Sequence, residues 1–142
     1  MDFANLYEHG FVRVAACTLP ITLVQPEKNA DAVAAIAREC AAEGVALAVF
    51  PELCLTGYSI EDLLLNDTVL EAADDAVGVL AEATADLDVV IVAGAPLRSL
   101  NRIYNCAVVL HRGEILGVVP KSYLPTYREF YERRQIGAGD DV

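Results

Sequence analysis

The apolar residues of this chain form short continuous runs, separated by a stretch in which they recur at helical spacing. The runs at 11–18, 45–50 and 89–95 are typical of strands that enter a protein core. Between the first two runs, the apolar side chains of 29–43 follow a helical repeat, and Gly44 is the expected stop of that helix. This strand–helix–strand order favours a covered sheet in an α/β protein.

The second half of the chain continues this pattern and then becomes aromatic and charged. Thr68 is followed three residues later by Glu71, which fits a capping box at the start of a second helix. Gly113 ends the tripeptide 111–113, which predicts the turn of a β-hairpin. The elements predicted here are a helix over 69–80, hairpin strands at 103–110 and 114–119, and a loop leading into a short helix at 122–134.

Composition narrows the class of protein. A chain of 142 residues is about one domain by length, and its 55% hydrophobic content is enough for a buried core. The net charge of −11 repels a phosphate backbone, so no nucleic-acid partner is expected, and the scattered acidic residues favour a solvated surface. No apolar run reaches the ~18 residues of a membrane span, so no membrane partner is expected either. The first ten residues lack the features of a secretory signal.

The cysteines give no sign of a metal or redox site. No pair has CxxC spacing, and the two histidines do not cluster with them. Free cysteines in apolar segments behave as small hydrophobic residues, and reduced thiols fit a cytoplasmic protein. The glycines form no GxGxxG or P-loop, so no cofactor is expected in this segment. The four cysteines are Cys17, Cys40, Cys54 and Cys106.

Two charged residues follow apolar strands at the position where open α/β sheets carry functional groups. Glu52 lies two residues after Phe50, and Lys121 lies two residues after Val119. Position alone favours ordinary surface residues. If the two meet, however, the carboxylate could act as a general base and the ammonium could stabilise an oxyanion. Such chemistry also needs a nucleophile, and Cys54 lies on the same short loop as Glu52, where we expect a packed thiol.

Other residues near these two have two interpretations each. Tyr58, Tyr127 and Phe130 could line a small-molecule pocket or could cap the core, and their spacing does not decide between these. Glu132 could pair with the two arginines that follow it on a helix face. Alternatively, it is a second carboxylate that fixes the position of Lys121.

Two motifs in these segments resemble those of a known superfamily. PELCLTGY at 51–58 and GVVPKSYLPTYREFYERR at 117–134 resemble the glutamate and lysine motifs of the nitrilase superfamily of carbon–nitrogen hydrolases. Within it, the GYSIEDLLL extension and the long YLPTYREFYERRQ tail are similar to glutaminase domains of glutamine-dependent NAD⁺ synthetases. The resemblance implies an α/β fold, the N-terminal part of a nitrilase-like α-β-β-α sandwich with a Cys-Glu-Lys site.

The resemblance also implies a role for each candidate residue. Glu52 matches the general base, Lys121 the lysine that stabilises the oxyanion, and Glu132 the glutamate that positions that lysine. The aromatic positions around the glutamine pocket are matched by Tyr58, Tyr127 and, less closely, Phe130. A cysteine downstream of the lysine motif is the family's nucleophile, and none of the four cysteines here matches it.

The resemblance further implies what the whole protein does. Glutamine hydrolysis supplies ammonia to a synthetase domain, which uses ATP and Mg²⁺ to amidate deamido-NAD⁺. We therefore expect residues 1–142 to be an incomplete hydrolase domain without the synthetase domain. By itself this segment should be inactive, with unpaired sheet edges. The whole protein is expected to be a cytoplasmic homo-oligomer.

Two other functions remain open at this point. The chain could be the first half of a stand-alone nitrilase-type amidase or carbamoyl hydrolase. It could also be a non-catalytic interaction module whose exposed edges bind a partner. The sequence that follows the lysine motif in the gene would separate the three hypotheses.

Overall fold

The computed structural model describes residues 5–141. Residue 142 lies outside the described residues, as do residues 1–4, which belong to the N-terminal segment in which no secretory signal is expected. Five strands form one sheet in the order of the chain. They are β1 Val14–Ala16, β2 Leu47–Val49, β3 Val90–Ser99, β4 Arg102–His111 and β5 Glu114–Pro120. The two α-helices are α1 Pro26–Ala42 and α2 Asp67–Ala83, and 3₁₀ turns lie at Leu6–His9, Glu61–Leu65, Glu132–Arg134 and Gly139–Asp141.

The sheet is parallel at one side and antiparallel at the other. β1, β2 and β3 run parallel, because α1 and α2 provide the crossovers between them. β4 and β5 continue the sheet as antiparallel neighbours of β3. Arg112 and Gly113 join β4 to β5 with φ values of +48° and +83°, the left-handed pair that suits a two-residue hairpin. The predicted α/β class and the predicted hairpin are confirmed.

One face of the sheet carries both helices, and the opposite face is open. Small residues of the helices pack closely onto the sheet, which excludes water from the core. On the opposite face, Val14, Val49 and Val119 are 62%, 41% and 60% exposed. The core residues include Ala30, Val33 and Ala37 of α1, Ala76, Val77 and Leu80 of α2, and Ala48, Ile91, Ala93, Val108 and Leu110 of the sheet.

Several predicted boundaries are wrong. β1 begins at Val14, since Phe11 and Val12 lie outside the ladder and are each 64% exposed. Helix α1 begins at Pro26, because proline at the first helical position needs no partner for a backbone N–H. Strand β3 extends to Ser99 because β4 pairs with it along its whole length.

The start of α2 also differs from the capping-box prediction. Asn66 is the N-cap, and its Oδ1 accepts a hydrogen bond from the Thr68 backbone N–H at 2.9 Å. Asparagine is at least as good an N-cap as threonine, so the helix begins two residues earlier than predicted, at Asp67. Beyond β5, the predicted short helix is a 3₁₀ turn at Glu132–Arg134. Among the described residues, no helix combines the length and apolar character that crossing a membrane requires.

Gly94 on β3 supports the loop that follows β2. A Cβ at this position would lie 2.8 Å from the carbonyl carbon of Glu52, and closer still to backbone atoms of Pro51 and Leu53. The Gly94 carbonyl also accepts a hydrogen bond from the Leu55 N–H at 3.1 Å. Because the contacting atoms are backbone, they cannot move aside independently of the loop. Glycine at this position therefore determines where Glu52 lies.

We expect the substitution Gly94→Ala to destabilise the protein and displace this loop. An added methyl group in a packed contact costs about 1–3 kcal/mol of unfolding free energy, which chemical denaturation would measure. Gly78→Ala is the matched control, because Gly78 lies within α2 and an added Cβ would meet nothing within 4 Å. That variant should gain about 0.5–1 kcal/mol. Equal stability of Gly94→Ala and the native protein would contradict the role given to Gly94.

Candidate active site

Both candidate segments begin at the same edge of the sheet, after β2 and after β5, and they share an apolar support. Glu52 follows β2, Lys121 follows β5 directly, and Glu132 opens the 3₁₀ turn beyond it. Side chains from these segments and from the start of α2 form one small buried cluster, which holds the loops against each other. Its members are Leu53, Ile60, Leu64, Val69, Leu124 and Ile136.

Lys121 lies between two carboxylates. Its Nζ is 2.8 Å from Oε2 and 3.1 Å from Oε1 of Glu52, and 3.1 Å from Oε1 of Glu132. The lysine side chain is 24% exposed, whereas that of Glu52 is 52% exposed. The structure thus brings together all three charged residues that the sequence singled out. Their individual roles in a reaction remain predictions.

The two carboxylates determine the ionisation of the lysine. Burial alone would lower the pKa of Lys121, since it disfavours the charged form. The hydrogen bonds and charges of Glu52 and Glu132 act in the opposite direction and outweigh burial, so the pKa of Lys121 is raised. The site therefore contains a permanent cation at neutral pH.

Glu132 is a buried carboxylate with a second donor. Its side chain is 5% exposed, and its Oε1 also accepts a hydrogen bond from the Tyr58 hydroxyl at 2.5 Å. Burial and the contact with Glu132 raise the pKa of Tyr58, so the phenol keeps its proton and acts as a donor. Glu132 therefore pairs with Lys121 and not with the arginines that follow it in the sequence. Arg134 instead forms an ion pair with Asp62 at 2.5 Å.

The aromatic residues lie around the same charged cluster. The ring centroids of Tyr58 and Phe130 are 6.3 Å apart, and those of Tyr127 and Phe130 are 6.1 Å apart, both edge-on. With Glu52, Lys121, Glu132 and two prolines, these rings line an open depression of about 480 Å³. The pocket interpretation of the aromatics is therefore favoured over the core-capping one.

The cysteine close to Glu52 is a packed thiol. Cys54 is 1% exposed, and its Sγ accepts a hydrogen bond from the Gly94 N–H at 3.3 Å. Burial raises the pKa of this thiol to about 11, which keeps it protonated and unreactive at neutral pH. The other cysteines are also free thiols. Among the described residues, no group of three or more His, Cys, Asp or Glu side chains could hold a metal ion.

Asn105 is a member of the site that the sequence analysis missed. Its Nδ2 donates a hydrogen bond to Oε2 of Glu52 at 2.9 Å, and the residue is 3% exposed. The available signal was a polar residue within the apolar run 103–110, since a buried amide requires partners. Gly94, which supports the Glu52 loop, was missed as well.

Residues 13–142 match the family model described as carbon–nitrogen hydrolase. The chain belongs to the carbon–nitrogen hydrolase family. This carbon–nitrogen hydrolase chain is 62% identical over 141 residues to the glutamine-dependent NAD(+) synthetase of Mycobacterium leprae (strain TN). The match covers 99% of this chain and 21% of that protein, so the chain spans about a fifth of the relative's length.

Solved structures of related enzymes share this fold. A glutamine-dependent NAD(+) synthetase from Cytophaga hutchinsonii superposes with a TM-score of 0.83 and 29% identity, over 89% of this chain and 22% of that one. The enzyme from Acinetobacter baumannii, in complex with adenosine diphosphate, gives a TM-score of 0.78 and 29% identity, over 89% and 24%. The predicted nitrilase-like fold of this carbon–nitrogen hydrolase chain is thereby confirmed.

The charge on Glu132 should control the titration of Lys121. Glu132→Gln keeps the shape of the side chain and removes its charge, so the pKa of Lys121 should fall toward the ordinary value of about 10.4. NMR of the lysine side chain would measure this, with the signal assigned by its loss in Lys121→Met. Because folding raises this pKa, the proton adds stability below the unfolded value, and that stability is lost as pH rises through the folded value.

Glu129→Gln is the control for this titration. Glu129 is exposed and belongs to the same loop, and it makes no ion pair with Lys121. Removing its charge should leave the lysine titration nearly in place. A titration that is unchanged in Glu132→Gln would show that the Lys121–Glu132 contact does not persist in solution.

Proposed function

We propose that this chain is the glutaminase part of a glutamine-dependent NAD⁺ synthetase. The observation that carries the proposal is the Lys121 ammonium, held between Glu52 and Glu132 at an aromatic-lined depression. The identity of 62% over 99% of the chain to such a synthetase supports the choice of glutamine as substrate. The side-chain amide of glutamine is small and polar, and it suits an open depression with charged groups at its floor.

The first half of the proposed reaction forms a thioester. Glu52 takes the proton of a cysteine thiol supplied from outside residues 1–142, and the sulfur attacks the amide carbon of glutamine. Negative charge develops on the amide oxygen, and the Lys121 ammonium stabilises it. Glu52 then returns the proton to the leaving nitrogen as the carbon–nitrogen bond breaks. Ammonia and a glutamyl thioester are the products.

The second half releases glutamate. Glu52 is again a carboxylate and takes a proton from a water molecule, whose oxygen attacks the thioester carbon. The carbon–sulfur bond breaks, and the proton passes from Glu52 to the sulfur. Glu132 acts throughout as a positioning residue, because its contact with Lys121 at 3.1 Å fixes where the ammonium lies.

The remaining parts of the proposed function lie outside this chain. We infer that the ammonia serves an ATP-dependent amidation of deamido-NAD⁺ by a synthetase domain of the same protein. The described residues do not fit ATP or Mg²⁺, since they contain no phosphate-binding glycine loop and no metal-binding cluster. We propose that the whole protein is cytoplasmic, which its free thiols support. We also propose that it forms homo-oligomers, which the exposed apolar residues on the open face of the sheet support.

The alternatives make different predictions for the whole protein. A stand-alone amidase or carbamoyl hydrolase would cleave a small amide without any ATP-dependent product. A non-catalytic interaction module would show no hydrolysis at all. Asp62 of the GYSIEDLLL extension bonds Arg134 of the lysine segment, so the two sequence features similar to NAD⁺ synthetases are in contact, which supports the main proposal.

The proposed roles can be tested in the full-length protein that contains this chain. Glu52→Gln should abolish glutamine hydrolysis with little change in volume, because the amide cannot accept the thiol proton. Lys121→Ala should reduce it by about 100-fold or more, the usual effect of removing an oxyanion donor. Both rates are measured as glutamate released from glutamine.

NAD⁺ synthesis from added ammonia is the internal control for these variants. It bypasses the hydrolase site, so it should survive both substitutions if the protein is folded. Near-normal glutamine turnover in either variant would refute the role given to that residue. A native protein that makes NAD⁺ from ammonia but never from glutamine would refute the proposed function itself.

A further inference from the structure

Asn105 occupies an unusual position for an amide. It lies in the apolar strand β4 and is 3% exposed. Side chains alternate along a strand, and Val108 and Leu110 of β4 pack against the helix-covered core. Asn105 therefore points to the opposite face of the sheet, the face on which Lys121 and Glu52 meet.

Asn105 contacts two of the three charged residues of the site, one through its side chain and one through its backbone. Its Nδ2 donates to Oε2 of Glu52 at 2.9 Å, and its backbone carbonyl accepts the Lys121 N–H at 2.8 Å. A carboxylate only accepts hydrogen bonds, so the amide atom that faces Glu52 must be the nitrogen. One residue of β4 thus holds the base directly and the start of the lysine segment through its backbone.

The two oxygens of the Glu52 carboxylate are not equivalent. Oε2 accepts from Asn105 at 2.9 Å and from Lys121 at 2.8 Å, whereas Oε1 accepts only the longer bond from Lys121 at 3.1 Å. Donors to a carboxylate oxygen stabilise its negative charge and make that oxygen a poorer proton acceptor. Oε1 is the oxygen with free lone-pair capacity, on a side chain that is 52% exposed.

We propose that Asn105 is a positioning residue that makes Oε1 of Glu52 the basic atom of the site. This inference rests on the proposed glutaminase function and specifies how its base is oriented. When Oε1 takes the thiol proton, an O–H bond forms there and Oε2 becomes the carbonyl oxygen, which keeps both of its donors. The carboxyl group therefore does not rotate, and Oε1 holds the proton where the leaving nitrogen can collect it.

Replacing the amide separates positioning from simple packing. Asn105→Leu fills similar space without a donor, and Asn105→Asp keeps the shape with an acceptor-only group when ionised. In the full-length protein, we expect kcat for glutamine hydrolysis to fall about 10–100-fold in both, as for other groups that orient a reacting residue, with KM changed only a few-fold. The acidic limb of the kcat/KM profile should move to higher pH, because the ionised base has lost a donor.

Asn29→Leu is the matched control. Asn29 is 1% exposed and its Nδ2 binds the backbone carbonyls of Thr22 and Leu55, both at 2.8 Å, without touching the charged cluster. Loss of this buried amide should lower the stability of the protein and leave the acidic limb in place. The titratable groups facing Glu52 are Lys121 directly and Glu132 and Tyr58 beyond it, and none of them changes in Asn105→Leu or Asn29→Leu. Asn105→Asp adds a carboxylate beside Glu52 that would itself move the acidic limb, so Asn105→Leu is the variant that tests the loss of the donor.

A crystal structure of each Asn105 variant provides a readout that does not depend on hydrolysis. The Glu52 carboxylate should rotate away from its present plane while Lys121 still pairs with Glu132. Native-like kcat in a folded variant, or an unmoved acidic limb together with an unmoved carboxylate, would overturn the proposal. By contrast, absence of glutamine hydrolysis in the native protein would overturn the proposed function. The orientation of the Glu52 carboxylate in the variant structures would then be the remaining test of whether Asn105 positions it.

Discussion

The buried carboxylate of Glu132 is the constraint on which the rest of the site depends. An ionised carboxylate with a side chain only 5% exposed is unfavourable unless donors compensate for the lost water. The Lys121 ammonium and the Tyr58 hydroxyl supply such donors at Oε1, whereas Oε2 is buried without a hydrogen-bond partner among the described residues. Since Lys121 also binds Glu52, the position of Glu52 follows from the need to neutralise a different residue, Glu132. Removing Lys121 would leave both carboxylates without their cation, so the two acids are coupled through this one residue.

The scaffold places these groups through backbone contacts that tolerate little change. The loop bearing Glu52 lies against Gly94, where a side chain would collide with backbone atoms. The other segment is fixed at Lys121, whose carbonyl accepts the Gly139 N–H at 2.9 Å. Because Leu53 beside Glu52 belongs to the same apolar cluster as the segment around Glu132, burial of that cluster and closure of the ion pairs reinforce each other.

Features of the site that depend on local sequence pattern could be predicted, whereas those that depend on contacts between distant segments could not. Glu52 and Lys121 were predictable as neighbours because both follow apolar strands, and strand ends meet at the rim of a sheet. The bond from Asn105 was not, since it depends on the register between β3, β4 and β5, which local pattern does not specify. The contact at Gly94 depends on how a loop folds over a neighbouring strand. At Thr68 the local rule itself failed, because Asn66, two residues earlier, is the better N-cap.

The charges of the cluster fit the proposed acyl transfer. Two carboxylates and one ammonium give the group a net charge of about −1 at neutral pH, with the cation shared between both acids. In the proposed reaction, a proton on Oε1 of Glu52 weakens the attraction between that carboxyl group and the ammonium, whereas Glu132 still binds Lys121. At the same moment negative charge develops on the substrate oxygen, and the ammonium is free to interact with it. The second carboxylate is thus what keeps the lysine in place while its first partner changes charge.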